Sequence, residues 1–251
     1  MTAKRFELNG KKAIVAGESP FWSKYIAAAL AKAGADVAII GKKSARLDTA
    51  LSEVRKTGRI ALALVADITN SAQVKIAVEK ANNQFGKIDI LVNAADIRLG
   101  KAFLDTSENE WQAVITGNLM AAVNTCKATG PIMRNQKHGR IINVVSCLAE
   151  RGMPNSSAYC VAMGGVLQLT RALSLEWALE GITVNAIGTG WFREDRKEAF
   201  NEADPLARYI PAKHYGLPDD IAPVVVYLAS DATSFTTGQF MYVDGALMAH
   251  A

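Results

Sequence analysis

Seven short apolar runs recur along the chain, and stretches of helical periodicity fill the gaps between them. The runs are KAIVA (12–16), ADVAII (35–40), IALALVAD (60–67), IDILVNAA (88–95), RIINVVS (140–146), ITVNAIG (182–188) and QFMYVDG (239–245). They are apolar throughout instead of alternating, as strands are when both faces of a parallel sheet are covered. Helices are predicted for KYIAAALAKAG, closed by Gly34, and over 44–57, 70–85, 108–135, 157–180 and 218–229. Strand and helix alternate nearly to the end, which predicts the α/β class: one doubly wound, parallel, seven-stranded sheet with helices on both faces.

The chain carries no repeat, linker or low-complexity segment, so residues 1–251 are expected to form a single domain. The stretch 189–217 lacks a clear core pattern and contains Trp191, Phe192, Phe200, Tyr209 and Tyr215. Such an excursion is either a substrate lid or an oligomer contact or surface helix pair.

Composition narrows the function classes. Half of the 251 residues are hydrophobic and 21% are charged, which suits a packed core and argues against disorder. The net charge of +4 is small and spread along the chain, so no nucleic-acid partner is expected. Cys126, Cys147 and Cys160 have no metal-type spacing and read as reduced thiols of a cytoplasmic protein. His138, His214 and His250 are far apart, so no metal site is expected. The first ten residues hold no apolar stretch, and no apolar run is expected to span a bilayer.

In a doubly wound sheet the ligand sits at the carboxyl ends of the strands, with phosphate at the first strand–helix turn. That turn reads VAGESPFWSKYIA (15–27). Asp67 follows the third strand, NAAD (93–96) closes the fourth, and Asn118 lies in TGNLMAA. Ser146 ends the fifth strand and precedes Tyr159 by thirteen residues; VNAIGTGWF (184–192) and the segment 217–246 follow. In this order and spacing the chain resembles the short-chain dehydrogenase/reductase family over essentially its whole length.

The resemblance implies a Rossmann-like fold, a small-molecule substrate, a nicotinamide dinucleotide cofactor, and a tetramer or dimer built from helices 108–135 and 157–180. It makes Tyr159 the general acid/base, Ser146 the partner of the substrate oxygen, and Asn118 the organiser of a proton-relay water. Gly17, Ser19 and Ser23 stand at the phosphate turn, Asp67 at the adenine, and Asn93 and Ala95 along the cofactor. Gly41 ends the second strand where NAD-preferring members place an acid, while Lys42 and Lys43 suit a 2′-phosphate, so NADP is expected over NAD. Trp191 and Phe192 are expected to line the substrate.

Three departures stand out. The first turn keeps Gly17, but Phe21 and Ser23 replace the later glycines; Gly17 and Ser23 have the spacing seen in members similar to enoyl-acyl-carrier reductases. Asp96 replaces a glycine beside the cofactor, with Arg98 two residues on as a candidate counter-charge. Met163 stands at Tyr159 plus four, where the family has a lysine that lowers the tyrosine pKa and grips the nicotinamide ribose. Without a cation, a tyrosine of pKa near ~10 is about one part in a thousand phenolate at neutral pH, and burial reduces that further. Alcohol oxidation, which needs a base, is expected to suffer most. Carbonyl reduction needs a donor, and neutral phenol is one; a lost acid–base element costs ~10²–10⁴ in rate. Arg98, Arg151, Lys213 and His214 are candidate replacement cations. The main expectation is NADP(H)-dependent reduction of a carbonyl in a small apolar substrate. The alternatives are a non-redox enzyme similar to halohydrin dehalogenases, for which Phe21 is suggestive, and an inactive binding subunit.

Overall fold

The computed structural model describes residues 3–17, 19, 22–194 and 204–249. Seven parallel strands form one sheet: β1 (Lys12–Ala16), β2 (Asp36–Gly41), β3 (Ala61–Val65), β4 (Ile90–Asn93), β5 (Gly139–Ser146), β6 (Ile182–Thr189) and β7 (Phe240–Val243), in the order β3-β2-β1-β4-β5-β6-β7. The chain winds outward from β1 to β3, then returns across β1 to lay down β4. The crevice beyond the carboxyl ends of β1 and β4 is therefore the topological switch point, where ligands of such sheets bind.

Period-two alternation along the strands is real, but both faces are covered. Val15, Ile39 and Val92 point to the layer of α1 (Ser23–Lys32), α2 (Ala45–Arg55) and α8 (Pro218–Ala229). Their neighbours Ile14, Ile40 and Leu91 point to the layer of α3 (Ser71–Phe85) and α5 (Ala121–Gln136). Each run therefore reads as continuously apolar.

Local chemistry sets the helix ends. The Ser44 side chain accepts from the Leu47 N–H to cap α2, and Asn70 caps α3 by accepting from Ala72 and Gln73. Gly86 closes α3 in the left-handed region at φ 76°. Ser107 and Glu110 form a reciprocal capping box on α4 (Glu108–Ile115).

Three expectations change. The helix expected over 108–135 is interrupted between α4 and α5 by a π-turn at Thr116–Met120 centred on Asn118. The helix expected over 157–180 is α6 (Ser157–Glu176), followed by a 3-10 turn at Ala178–Glu180. By length and composition α6 is apolar enough to cross a membrane, although no apolar run was expected to. It packs instead along β5, β6 and α4. Of the stretch 189–217, residues 195–203, including Phe200, lie outside the described set; the rest includes α7 (Pro205–Arg208).

Candidate active site

Gly17 stands at φ +124°, and a Cβ there would lie 2.7 Å from the backbone carbon of Ala94 and the nitrogen of Ala95. Only glycine lets the turn after β1 pass this close to the turn after β4. The Ser23 hydroxyl donates to the Gly17 carbonyl, so its proton closes the turn instead of facing a phosphate. Glu18 and Phe21 lie outside the described residues.

A cavity of about 410 Å³ opens beside this turn, and Gly17, Ser19, Lys42, Asp67 and Ala95 line it as the sequence suggested. Lys42 reaches Asp67 at 3.0 Å. The Thr69 hydroxyl and then Lys42 hold the Asp67 carboxyl at about 2, against desolvation. A neighbouring cavity of about 370 Å³ is lined by Ser19, Ser23 and Lys24. Lys43 lines neither cavity, whereas Arg46, in the first turn of α2, lines both. Arg46 was missed because a cation inside a predicted helix reads as solvated surface. Asn93 lines neither cavity: it donates to Asn143 at 2.8 Å and accepts from Thr125 at 2.6 Å, a buried network beneath the site.

Ser146 and Tyr159 meet in a cleft of about 260 Å³ that also includes Arg98, Trp191 and Phe192. Ser146 ends β5 and Tyr159 opens α6, so sheet and helix deliver both to the carboxyl edge. Met163, one turn along, is 2% exposed in the apolar layer under α6. The Tyr159 hydroxyl instead donates to Asp96 Oδ1 at 2.7 Å. Arg98 Nε lies 3.1 Å from both oxygens of Asp96, and Nη2 donates to Oδ2 at 2.7 Å. The indole N–H of Trp22 donates to Oδ2 at 3.2 Å. Burial and then the Asp96 charge push Tyr159 well above its ordinary range, against the pull of Arg98. Asn118 braces this turn: its side chain accepts from the Ile97 N–H at 2.9 Å and donates to the Ile97 carbonyl at 2.8 Å.

The other candidate cations, Arg151, Lys213 and His214, do not line this cleft. Arg151 donates to the Leu247 carbonyl and faces the Tyr209 ring. His214 borders a separate cavity with Trp191 and Phe192, and Lys213 lies in a left-handed turn. At the base of the 189–217 excursion, Arg193 and Tyr215 both bond Asp204, and Phe192 bridges to Gly216.

The residues present fit the nucleotide half of a dinucleotide: a roomy cavity, a glycine turn with close backbone approach, and two cations. Of the residues lining the nucleotide cavity, the Ser146–Tyr159 cleft shares Arg98 alone. Trp22, buried beside Asp96, packs edge-on against Phe192 with ring centroids 5.0 Å apart. The halohydrin-dehalogenase alternative gains nothing here, since Met163 is apolar and Phe21 is outside the described residues.

A sequence profile described as Enoyl-(Acyl carrier protein) reductase matches residues 23–247. A 3-oxoacyl-acyl-carrier-protein reductase from Synechocystis sp. is 35% identical over 96% of this chain and 98% of its own length. A gluconate 5-dehydrogenase from Burkholderia cenocepacia J2315, solved with NADP and tartrate, superposes with a TM-score of 0.92 at 30% identity, covering 100% of both chains. A short-chain type dehydrogenase/reductase from Mycobacterium marinum has the same TM-score and identity, again over 100% of both chains. Likeness of this extent makes the chain a member of the short-chain dehydrogenase/reductase family, an NAD(P)-dependent oxidoreductase.

Proposed function

We propose that the protein reduces a carbonyl group in a small, largely apolar substrate with NADPH, Tyr159 donating the proton and Ser146 holding the substrate oxygen. The observation that carries this reading is the Tyr159 hydroxyl, placed as a donor by its bond to Asp96, sharing one cleft with Ser146. When bound, the nicotinamide supplies the hydride. The chain's own residues do the rest. The Ser146 hydroxyl donates to the substrate oxygen, and Trp191 and Phe192 exclude water from it. Tyr159 turns its hydroxyl from Asp96 to the oxygen as negative charge develops there, because an alkoxide is a far stronger base than a phenolate.

The preference for NADP over NAD is supported by Lys42 and Arg46 bordering the nucleotide cavity and by Gly41, which offers no acid at the end of β2. NADPH at one hundred times its dissociation constant stabilises a protein by about 2.7 kcal/mol, a readily measured thermal shift. No shift at millimolar NADPH overturns the reading. Oxidation of NADPH by a panel containing a 3-oxoacyl thioester and small aliphatic and aromatic ketones then sorts the substrate class.

Exposed Phe103, Leu104, Val161 and Leu175, beside α4 and on α6, support assembly into a dimer or tetramer through these helices. Sedimentation of the wild type and of Leu104→Lys and Val161→Lys variants tests it: the wild type sediments as an oligomer and the variants as smaller species.

A further inference from the structure

Three separate segments converge on one carboxylate. Trp22 comes from the turn after β1, Arg98 from the turn after β4, and Tyr159 from the first turn of α6, and all donate to Asp96. The Asp96 side chain is 3% exposed, whereas Arg98 is 47% exposed and covers it from the solvent side. A carboxylate buried this deeply needs compensation, and the fork of an arginine supplies it with fixed geometry. A carboxylate has about four acceptor positions. The Tyr159 hydroxyl, the Trp22 indole and the two Arg98 nitrogens fill them. Asn118 bonds both backbone groups of Ile97, so the carboxylate and its arginine are fixed from either side of that residue.

We propose that Asp96, clamped by Arg98 and Trp22, is the positioning residue of this active site, fixing the Tyr159 hydroxyl and keeping it in the proton-donating form. The donor role rests on the reductase reading above; the clamp itself does not. Two features make the clamp suit a donor. When the hydroxyl turns toward a substrate oxygen, Asp96 keeps Arg98 and Trp22 and is not left unpaired. A phenolate formed beside Asp96 is opposed by the carboxylate, so the tyrosine recovers its proton instead of resting ionised. The charged groups that act on Tyr159 are Asp96 and Arg98. The Cys147 thiol, in the same cleft, is pushed up to about 11 by burial and stays neutral with it.

The test is a pH titration of the full chain carrying ¹³Cζ-labelled tyrosine, without nucleotide or substrate, with the Tyr159 resonance assigned by its loss in Tyr159→Phe. In the wild type this resonance stays that of a neutral phenol past the ordinary tyrosine midpoint of ~10. In the near-isosteric Asp96→Asn variant, Arg98 faces Tyr159 without the carboxylate, and the midpoint falls by at least one unit, about tenfold in ionisation. The alkaline limb of carbonyl reduction falls with it. A wild-type Tyr159 that titrates at or below pH 10, or a midpoint unmoved in Asp96→Asn, overturns the proposal. If Asp96→Asn does not fold, the wild-type titration alone decides. A protein that passes this titration but shows no NADPH binding loses the reductase reading and keeps the Asp96 clamp.

Discussion

The Tyr159 hydroxyl lies 2.7 Å from the Asp96 carboxylate, at a site where the tyrosine's own helix offers it only a buried methionine. The pH behaviour of the fold follows from this pair. Tyr159 is raised above the ordinary tyrosine value of about 10, so the folded state holds its proton after the unfolded state has lost it. Stability from this group is fully present below pH 10 and declines as pH rises beyond it. The midpoint of urea unfolding is expected to fall as pH rises above 10, and less steeply in Tyr159→Phe.

Asp67 has the opposite sign. The Thr69 hydroxyl and Lys42 hold its folded value at about 2, below an unfolded value near ~3.9. Its contribution is present above pH 4 and is lost as pH falls toward 2. Asp67→Asn is expected to flatten the acid side of the stability profile over that window, read from unfolding midpoints at low salt.

Gly17→Ala combines a left-handed φ with a Cβ 2.7 Å from the Ala94 backbone. Strain and overlap together are expected to cost about 2–4 kcal/mol in chemical denaturation. Because Gly17 borders both nucleotide-side cavities, nucleotide affinity is expected to fall as well, measured by calorimetry on the folded fraction.

Trp22→Ile removes an indole that is 2% exposed. A loss of about 2–3 kcal/mol is expected from the large-to-small change. The shift in the urea-unfolding midpoint of the variant measures it.

Asn118→Asp keeps an acceptor for the Ile97 N–H but sets an oxygen against the carbonyls of Ile97 and Val114, to which the amide now donates. The expected cost is about 2–4 kcal/mol, since buried groups lose their partners. Faster hydrogen exchange at the Ile97 amide is the local readout.

Much of this was legible in the amino acids. The apolar runs located all seven strands to within about three residues at their ends, because a sheet covered on both faces leaves continuous hydrophobic text. The family resemblance singled out Ser146 and Tyr159, and the end of β5 and the start of α6 bring the two into one cleft. Three things were not readable. Asn93, in a motif associated with the cofactor, bonds Asn143 and Thr125 in the core, because side-chain direction at a strand end depends on the neighbouring strands. Arg46 lines the nucleotide cavity from the first turn of α2, and the helical pattern of 44–57 does not tell a cation that faces a cavity from one that faces solvent. The meeting of Asp96 with Trp22 joins residues 74 positions apart, and no local pattern encodes it.

The π-turn at Thr116–Met120 carries a further consequence. An α-helix advances about 100° per residue, so a turn with one surplus residue is a phase shifter between the helical stretches on either side. It lets α4 present its inner face to α6 while α5 presents its own to α3 and the sheet. Deleting one residue within 116–120 would bring the two stretches into a common phase and turn one of these faces toward water. Substitutions here alter a contact, whereas a single-codon deletion alters the aim of a whole helix. Length is therefore the more constrained property of this segment.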